Sequence, residues 1–379
     1  MTTALAALAS TAAIASAAPT PSFMGLGTTS TCRFPTVAFG VSADGSTVVG
    51  RCQNNTGNGQ FIAFRWTEST SLVTLGDFDG GGFSSAAIAT SADGSVVVGH
   101  GRSTQSGGND EAFRWTESTG LVSLGDLPDG IYYSSAGDVS ADGSVIVGSS
   151  ASGLPGSEAF RWTAQGGLMG LGAARSTANG VSADGSVIVG DVGSVVRPYR
   201  WTAQSGVVNL GLPAGGATQA TAKDVSADGS VIVGYGIKPN GDLEAYRWHE
   251  QTGFQNLGFL PGNTRSNARG VSGDGQRIVG YSRGSDFKAV LWDGANGIRD
   301  LRHWLASDYG LNLNGWLLTD AYAISSDGNT IVGVGINPQG EQEAFRAVIP
   351  EPATAFLFLA AGVFVGGRRR EAECEKSEG

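Results

Sequence analysis

The chain has 379 residues, of which 60 are glycine and only 15% are charged, with a formal net charge of −10. That acidic balance, with no Lys/Arg cluster in the body of the chain, argues against nucleic acid as a partner. No long stretch repeats apolar residues with a helical period, and Gly, Ser, Asp and Asn break up short apolar runs, so the class is all-β.

At the N-terminus, Ala4 to Ala18 are small and apolar, and Ala15-Ser16-Ala17 fits an A-x-A cleavage site. Residues 1–17 therefore read as a secretory signal peptide without its usual basic n-region, as expected if the start lies inside a longer signal. Next, Phe23-Met24-Gly25-Leu26-Gly27 reads as a strand with no blade before it. Cys32 and Cys52 flank the first repeat's leading strand. In an exported protein they either pair, closing a loop of about twenty residues worth on the order of 3 kcal/mol, or both stay free. Cys374 stands alone in the tail.

Ser-Ala-Asp-Gly then recurs, starting at Ser42, Ser91, Ser140, Ser182 and Ser226. It returns as Ser272-Gly273-Asp274-Gly275 and Ser325-Ser326-Asp327-Gly328, and the seven copies are 49, 49, 42, 44, 46 and 53 residues apart. Such a period marks propellers and solenoids. In the third copy, strands are expected at Gly137–Ser140, Ser144–Gly148, Glu158–Thr163 and Leu168–Leu171, with Asp142-Gly143 as the first hairpin turn. Val145-Ile146-Val147 is apolar without alternation, which suits a strand covered on both faces by neighbouring blades.

Two residues recur at fixed register. Trp66, Trp115, Trp162, Trp201, Trp248 and Trp292 are expected to pack between blades, a gross gain of about 4–6 kcal/mol each. Asp44, Asp93, Asp142, Asp184, Asp228, Asp274 and Asp327 are turn residues that bond their own backbone. A salt bridge to the Arg of Phe-Arg-Trp is not their main role, because the sixth copy keeps Asp274 although Leu291 replaces the Arg. One carboxylate per loop also falls far short of a calcium site.

Fourth strands carrying Leu-Gly follow the first five copies at Leu75, Leu124, Leu171, Leu210 and Leu257. The sixth has a degenerate version at Ile298–Leu301, and the seventh stops at Phe345-Arg346-Ala347 without one. Residues 23–27 would supply the missing strand and close a ring of seven four-stranded antiparallel blades, leaving no open edge at the join. The longest break in the repeat, His303 to Asp320, brings His303, Trp304, Tyr309 and Trp316 outside the register. It is either a local cover over a blade junction or a ligand loop.

Catalytic signals are weak. His100, His249 and His303 occupy unrelated positions, and neither a zinc-protease spacing, a nucleophile elbow nor a phosphate-binding loop occurs. Asp77-Phe78-Asp79 and Asp126-Leu127-Pro128-Asp129 could supply a carboxylate pair for glycoside hydrolysis, although Asp and Gly are ordinary in such loops. No cofactor or metal is expected.

The unit Val-Ser-Ala-Asp-Gly-Ser…Val-Gly…Glu-Ala-Phe-Arg-Trp…Leu-Gly resembles the bacterial extracellular HAF repeat over about residues 23–348. The order Pro350-Glu351-Pro352, apolar Ala353–Gly367, then Arg368, Arg369 and Arg370 is similar to the PEP-CTERM sorting signal. That second resemblance implies export, an exosortase-type processing partner, and anchoring or release outside the cell, often alongside exopolysaccharide. The apolar run of about fifteen residues is shorter than the roughly 20 that span a bilayer comfortably. The three arginines place the tail in the cytoplasm.

The expected organisation is a signal peptide over 1–17, a seven-bladed β-propeller over 18–348, a sorting segment with a transmembrane helix over 349–370, and a cytoplasmic tail over 371–379. The expected role is that of a non-catalytic cell-surface or matrix protein, held in the membrane by the C-terminal helix before processing. A carbohydrate-binding module is the first alternative and a glycan-active enzyme the second.

Overall fold

The computed structural model describes residues 20–349, apart from 56–58, 79, 81, 83 and 295. The signal segment, Pro350-Glu351-Pro352, the apolar run with its arginines, and Cys374 lie outside the described residues. The expected C-terminal membrane helix lies there too; among the described residues, no helix is long and apolar enough to cross a membrane.

The repeats fold into seven four-stranded antiparallel sheets, the blades of a β-propeller. In blade 3 the strands are Ser134–Val139, Val145–Ala151, Ser157–Thr163 and Gly167–Ala174, close to the expected four. The seventh sheet is assembled from both ends of the sequence. Ser22–Gly25 pairs with Gln342–Val348, in the register Phe23↔Ala347, Met24↔Arg346 and Gly25↔Phe345. The ring closes as the missing fourth strand requires.

Each Ser-Ala-Asp-Gly turn is a small hydrogen-bonded cassette. In the first copy the Ser42 hydroxyl donates to Asp44 Oδ1 at 2.8 Å, the Ser46 N–H donates to the same oxygen at 2.9 Å, and the Thr47 N–H donates to Ser42 Oγ at 2.9 Å. The other six copies repeat these contacts. The turn role expected of the Asp therefore holds, and no Asp of the seven turns is in an ion pair among the described residues. The arginines reach past it. Arg65 and Arg346 donate through Nε to the Gly94 and Gly45 carbonyls of the next blade's turn. In blade 6, where Leu291 replaces the Arg, Arg277 donates to Gly328 O at 2.6 Å and so supplies the same link from another strand.

The second residue of each turn carries a further link. The N–H of Ala43 donates to Ala92 O, and the bonds continue through Ala141, Ala183, Ala227, Gly273 and Ser326; Asp327 N then donates to Ala43 O at 3.1 Å. Seven backbone hydrogen bonds thus run head to tail around the ring. Deeper in the junctions, Ser85, Ser134, Ser176, Ser266 and Thr36 on inner strands accept the N–H of Ala63, Ala112, Ala159, Ala245 and Ala344 of the preceding blade.

The six tryptophans pack against core clusters shared with the preceding blade, as expected, but the deepest burial belongs to another residue. Phe64, Phe113, Phe160, Tyr199, Tyr246 and Phe345 are fully buried, whereas only Trp66 and Trp292 are buried among the six tryptophans. Trp115, Trp162, Trp201 and Trp248 are half-buried. The Phe ring wins because it faces the Gly of Val-Ile-Val-Gly. A Cβ on Gly148 would lie 2.0 Å from Ser135 O and 2.8 Å from Phe160 Cζ, so this Gly lets the inner strand approach and the ring fill the space above it.

The insert takes the first of the two forms expected of it, a cover. Residues Leu301–Tyr309 form a helix, capped by the Asp300 side chain accepting from His303 N and ended by Gly310 in the left-handed region. Trp304 and Trp316 are buried in the core shared by blades 6 and 7, Tyr309 packs edge-on against Trp304, and only His303 is exposed. The amphipathic segment covers a junction, as the cover reading required, and presents no aromatic ligand loop. Trp316 also takes Phe23 of the closing strand edge-on at 5.3 Å.

Candidate functional site

The inner strands carry one irregularity in all seven blades. Between the invariant Ala and the residue two places on, the register shifts by a bulge, for example between Ala136 and Asp138 in blade 3. The bulged residue is three places before the turn Ser, and its identity differs in every copy: Phe39, Ile88, Gly137, Asn179, Lys223, Arg269 and Tyr322. All seven line a cavity of about 230 Å³ in the central channel. β-Bulges re-aim side chains and are over-represented beside functional sites. This collar is the candidate site, and the sequence reading missed it. The signal was present: seven different residues at a register flanked by an invariant Ala and an invariant turn.

The collar is divided by chemistry. Tyr322, Phe39 and Ile88 come from the consecutive blades 7, 1 and 2, with Tyr322 and Phe39 edge-to-face at 5.2 Å. Asn179, Lys223 and Arg269 come from the consecutive blades 4, 5 and 6, and Gly137 leaves a gap between the two arcs. Arg269 donates through Nε to both Asp320 oxygens at 2.9–3.0 Å and stacks on Tyr322 at 4.3 Å. Asn179 donates to Ala222 O at 2.7 Å and to Asp191 Oδ2 at 3.1 Å. Lys223 makes no ion pair among the described residues.

Next to the collar stand Asp138 and Asp224. Each clamps two backbone amides, one of its own strand and one of the following blade: Val139 and Val181 for Asp138, Val225 and Val271 for Asp224, at 2.7–2.8 Å. Burial, and then the Asp224 carboxylate, push Asp138 up to about 8. Burial likewise raises Asp224, Asp191 and Asp320 to about 6. Five turn aspartates, Asp44, Asp93, Asp142, Asp184 and Asp228, shift the other way: the Ser95 N–H and the Ser91 hydroxyl hold Asp93 at about 2.

These opposite shifts predict a pH profile. For the channel acids the folded state holds protons that the unfolded chain has released, so their stabilisation is complete below about pH 4 and is lost as pH rises towards 8. These five turn aspartates contribute stability above about pH 4 and lose it as pH falls towards 2. The melting temperature should therefore peak near pH 4 and decline to pH 8.5, and Asp138→Asn should flatten that decline. A profile that rises from pH 5 to pH 8.5 contradicts the assignment.

The remaining expected groups are dispersed. Asp77 accepts from Phe78 N and Ser84 N at 2.8–2.9 Å, and shares a cavity of about 450 Å³ with Glu111, which accepts from Ser103, Ser123 and the Tyr132 hydroxyl. Asp79 lies outside the described residues. His100 meets Ser135 Oγ at 3.2 Å in the neighbouring blade, remote in sequence from His249 and His303. Cys32 and Cys52 are bonded, with their Cα atoms 5.6 Å apart and both side chains fully buried in blade 1.

No family model matches the chain, and no curated protein matches it in sequence. Among solved structures it is similar to TolB from Acinetobacter baumannii, at 13% identity and a TM-score of 0.46, covering 82% of this chain and 66% of that one. The chain thus spans just under two thirds of the length of that TolB. It is also similar to the β-propeller domain of the trilobed protease from Pyrococcus furiosus, at 12% identity and a TM-score of 0.52, covering 83% of this chain and 94% of that domain. That domain is described as having an open velcro topology, whereas here Ser22–Gly25 completes the last blade. At such identity the likeness shows the fold alone, a β-propeller.

Proposed function

We propose that the chain is an exported, non-catalytic propeller of the cell surface or extracellular matrix, sorted through its C-terminal Pro-Glu-Pro segment. The observation that carries this reading is the buried Cys32–Cys52 disulfide, since such bonds belong to oxidising compartments outside the cytoplasm. Both channel carboxylates nearest the collar, Asp138 and Asp224, hold two backbone amides each, a framework duty that supports the non-catalytic side. The resemblance of the C-terminus to a sorting signal supports an exosortase-type partner and a membrane-held precursor. Mass spectrometry of native surface and medium fractions tests this: the mature form should begin near Ala18, end close to Glu351, and resist alkylation at Cys32 and Cys52 until reduced. Extracellular peptides covering Phe356–Arg368, or whole protein with free thiols in the cytosol, would overturn it.

A second reading, a carbohydrate-binding module of the matrix, draws on the divided collar. An aromatic arc facing an amide and cationic arc across a cavity of about 230 Å³ matches the apolar and hydroxyl-bearing sides of a sugar ring.

A further inference from the structure

The junction between blades 5 and 6 departs from the repeat in a concerted way. Arg247 belongs to the fifth copy of the Phe-Arg-Trp block, here Tyr246-Arg247-Trp248, and its Nε is buried without a hydrogen-bond partner among the described residues. Two of its five counterparts, Arg65 and Arg346, donate to the next blade's turn glycine. Here the corresponding Gly275 and Arg247 both line a cavity of about 210 Å³. A buried N–H left unpaired carries a desolvation penalty that an acceptor would relieve, so the pocket is poised for one.

Around that donor the surface residues change together. Gln255 stands across from Arg247, where Val73, Val122, Met169 and Val208 stand across from their arginines. Gln276 replaces the serine that occupies this turn position in the first five copies. Asp293, held by Arg299 and Asn296, replaces the threonine of the first four copies. Leu257, Ile278 and Trp292 form an apolar floor. Trp292 is buried, with its Nε1–H donating to Leu257 O at 3.0 Å, so it is floor and not an open stacking platform.

We propose that this pocket is a saccharide subsite that takes a carboxylate-bearing sugar, with Arg247 as the anchor. The carboxylate accepts from the guanidinium, which forms no ion pair among the described residues; Asp293 is engaged by Arg299. Gln255 and Gln276 present planar amides to ring hydroxyls, and the floor takes the apolar face of the ring. The proposal rests on the reading that the propeller binds glycans.

The test uses the full chain, with glucuronate as probe and glucose and glucose 6-phosphate as comparisons, read by calorimetry. Gln255 and Gln276 are exposed, so Gln255→Val with Gln276→Ser restores the repeat's own residues without disturbing the core. Wild type should bind glucuronate, and the double variant should bind it about tenfold more weakly, a change of about 1.4 kcal/mol, while melting as wild type does. Arg247→Lys, which keeps the charge and removes Nε, should weaken binding in the same way. Equal binding by wild type and the double variant, with loss on Lys223→Ala, overturns the pocket and leaves the glycan reading standing at the collar. Preference for glucose or glucose 6-phosphate overturns the carboxylate assignment, and no binding of any probe overturns the pocket along with the glycan reading.

Discussion

Deleting residues 22–27 should lower the melting temperature by roughly 5–10 °C and make the protein scatter light as it melts. The deletion removes Phe23, which sits 5.3 Å from the Trp316 ring and 5.9 Å from that of Phe345, and Leu26, which is 6% exposed. At about 1.5–3 kcal/mol for the buried Leu26 and somewhat less for the half-buried Phe23, that loss is about 2–5 kcal/mol. Two polar links disappear with it: Gly27 N to Glu343 Oε1 at 2.8 Å, and Leu26 N to Ala344 O at 2.9 Å. The Gln342–Val348 strand would then present an open edge, a template for pairing with other chains. Calorimetry with parallel light scattering decides the matter. A deletion variant that melts and stays soluble like the parent would show that the ring does not depend on its N-terminal strand.

The second large effect separates two aromatics in one strand. Phe160→Ala should cost about 3–5 kcal/mol, while Trp162→Ala should cost about 1–2 kcal/mol. Phe160 is fully buried over Gly148, and its removal leaves a cavity that the close-packed strands cannot collapse to fill. Trp162 is half-buried at the rim of the same cluster, so the gap left by truncation opens to solvent and can be filled by water. Urea unfolding of the two variants orders them. If Trp162→Ala proved the more damaging, the blade junction would be led by tryptophan after all, as repeat counting alone suggests.

Much of the ring was legible before any coordinates, because the features that fix it are local. Asp142-Gly143 marks a hairpin by its own chemistry, and the surplus strand at Phe23–Gly27 balances the deficit after Phe345. The Asp turn role was also readable, from the copy in which Leu291 displaces the Arg. Three things were not. The tryptophan's place at the blade junction was readable but its depth was not, because period fixes only the side of a strand, and depth depends on the approach that Gly148 permits. The aromatics at Trp304 and Trp316 gave no clue from composition as to whether they face solvent or a blade junction. The collar was hidden because a bulge adds a residue without changing the repeat's apparent period. Its chemistry becomes visible only when seven inner strands are brought side by side. Blade 6 holds a related exchange: Leu291 faces Arg299 across the sheet, the reverse of Arg161 facing Met169, which no single repeat reveals.

The register of the closing pair has a mechanical consequence. Ser22, where the N-terminal strand starts, lies opposite Val348, where the last strand stops. In the other six blades, three residues join the third strand to the fourth at this corner, as Glu68 to Thr70 do between Phe61–Thr67 and Ser71–Gly76. The break in the polypeptide therefore falls inside what would otherwise be a tight turn. Tension applied between Ser22 and Val348 would load the antiparallel bonds of this pair one after another, as a zipper opens, instead of all together as in shear. The ring that resists heat through seven shared junctions would thus yield to a pull at a single seam, with blade 7 losing its outer strand before any other blade feels the force.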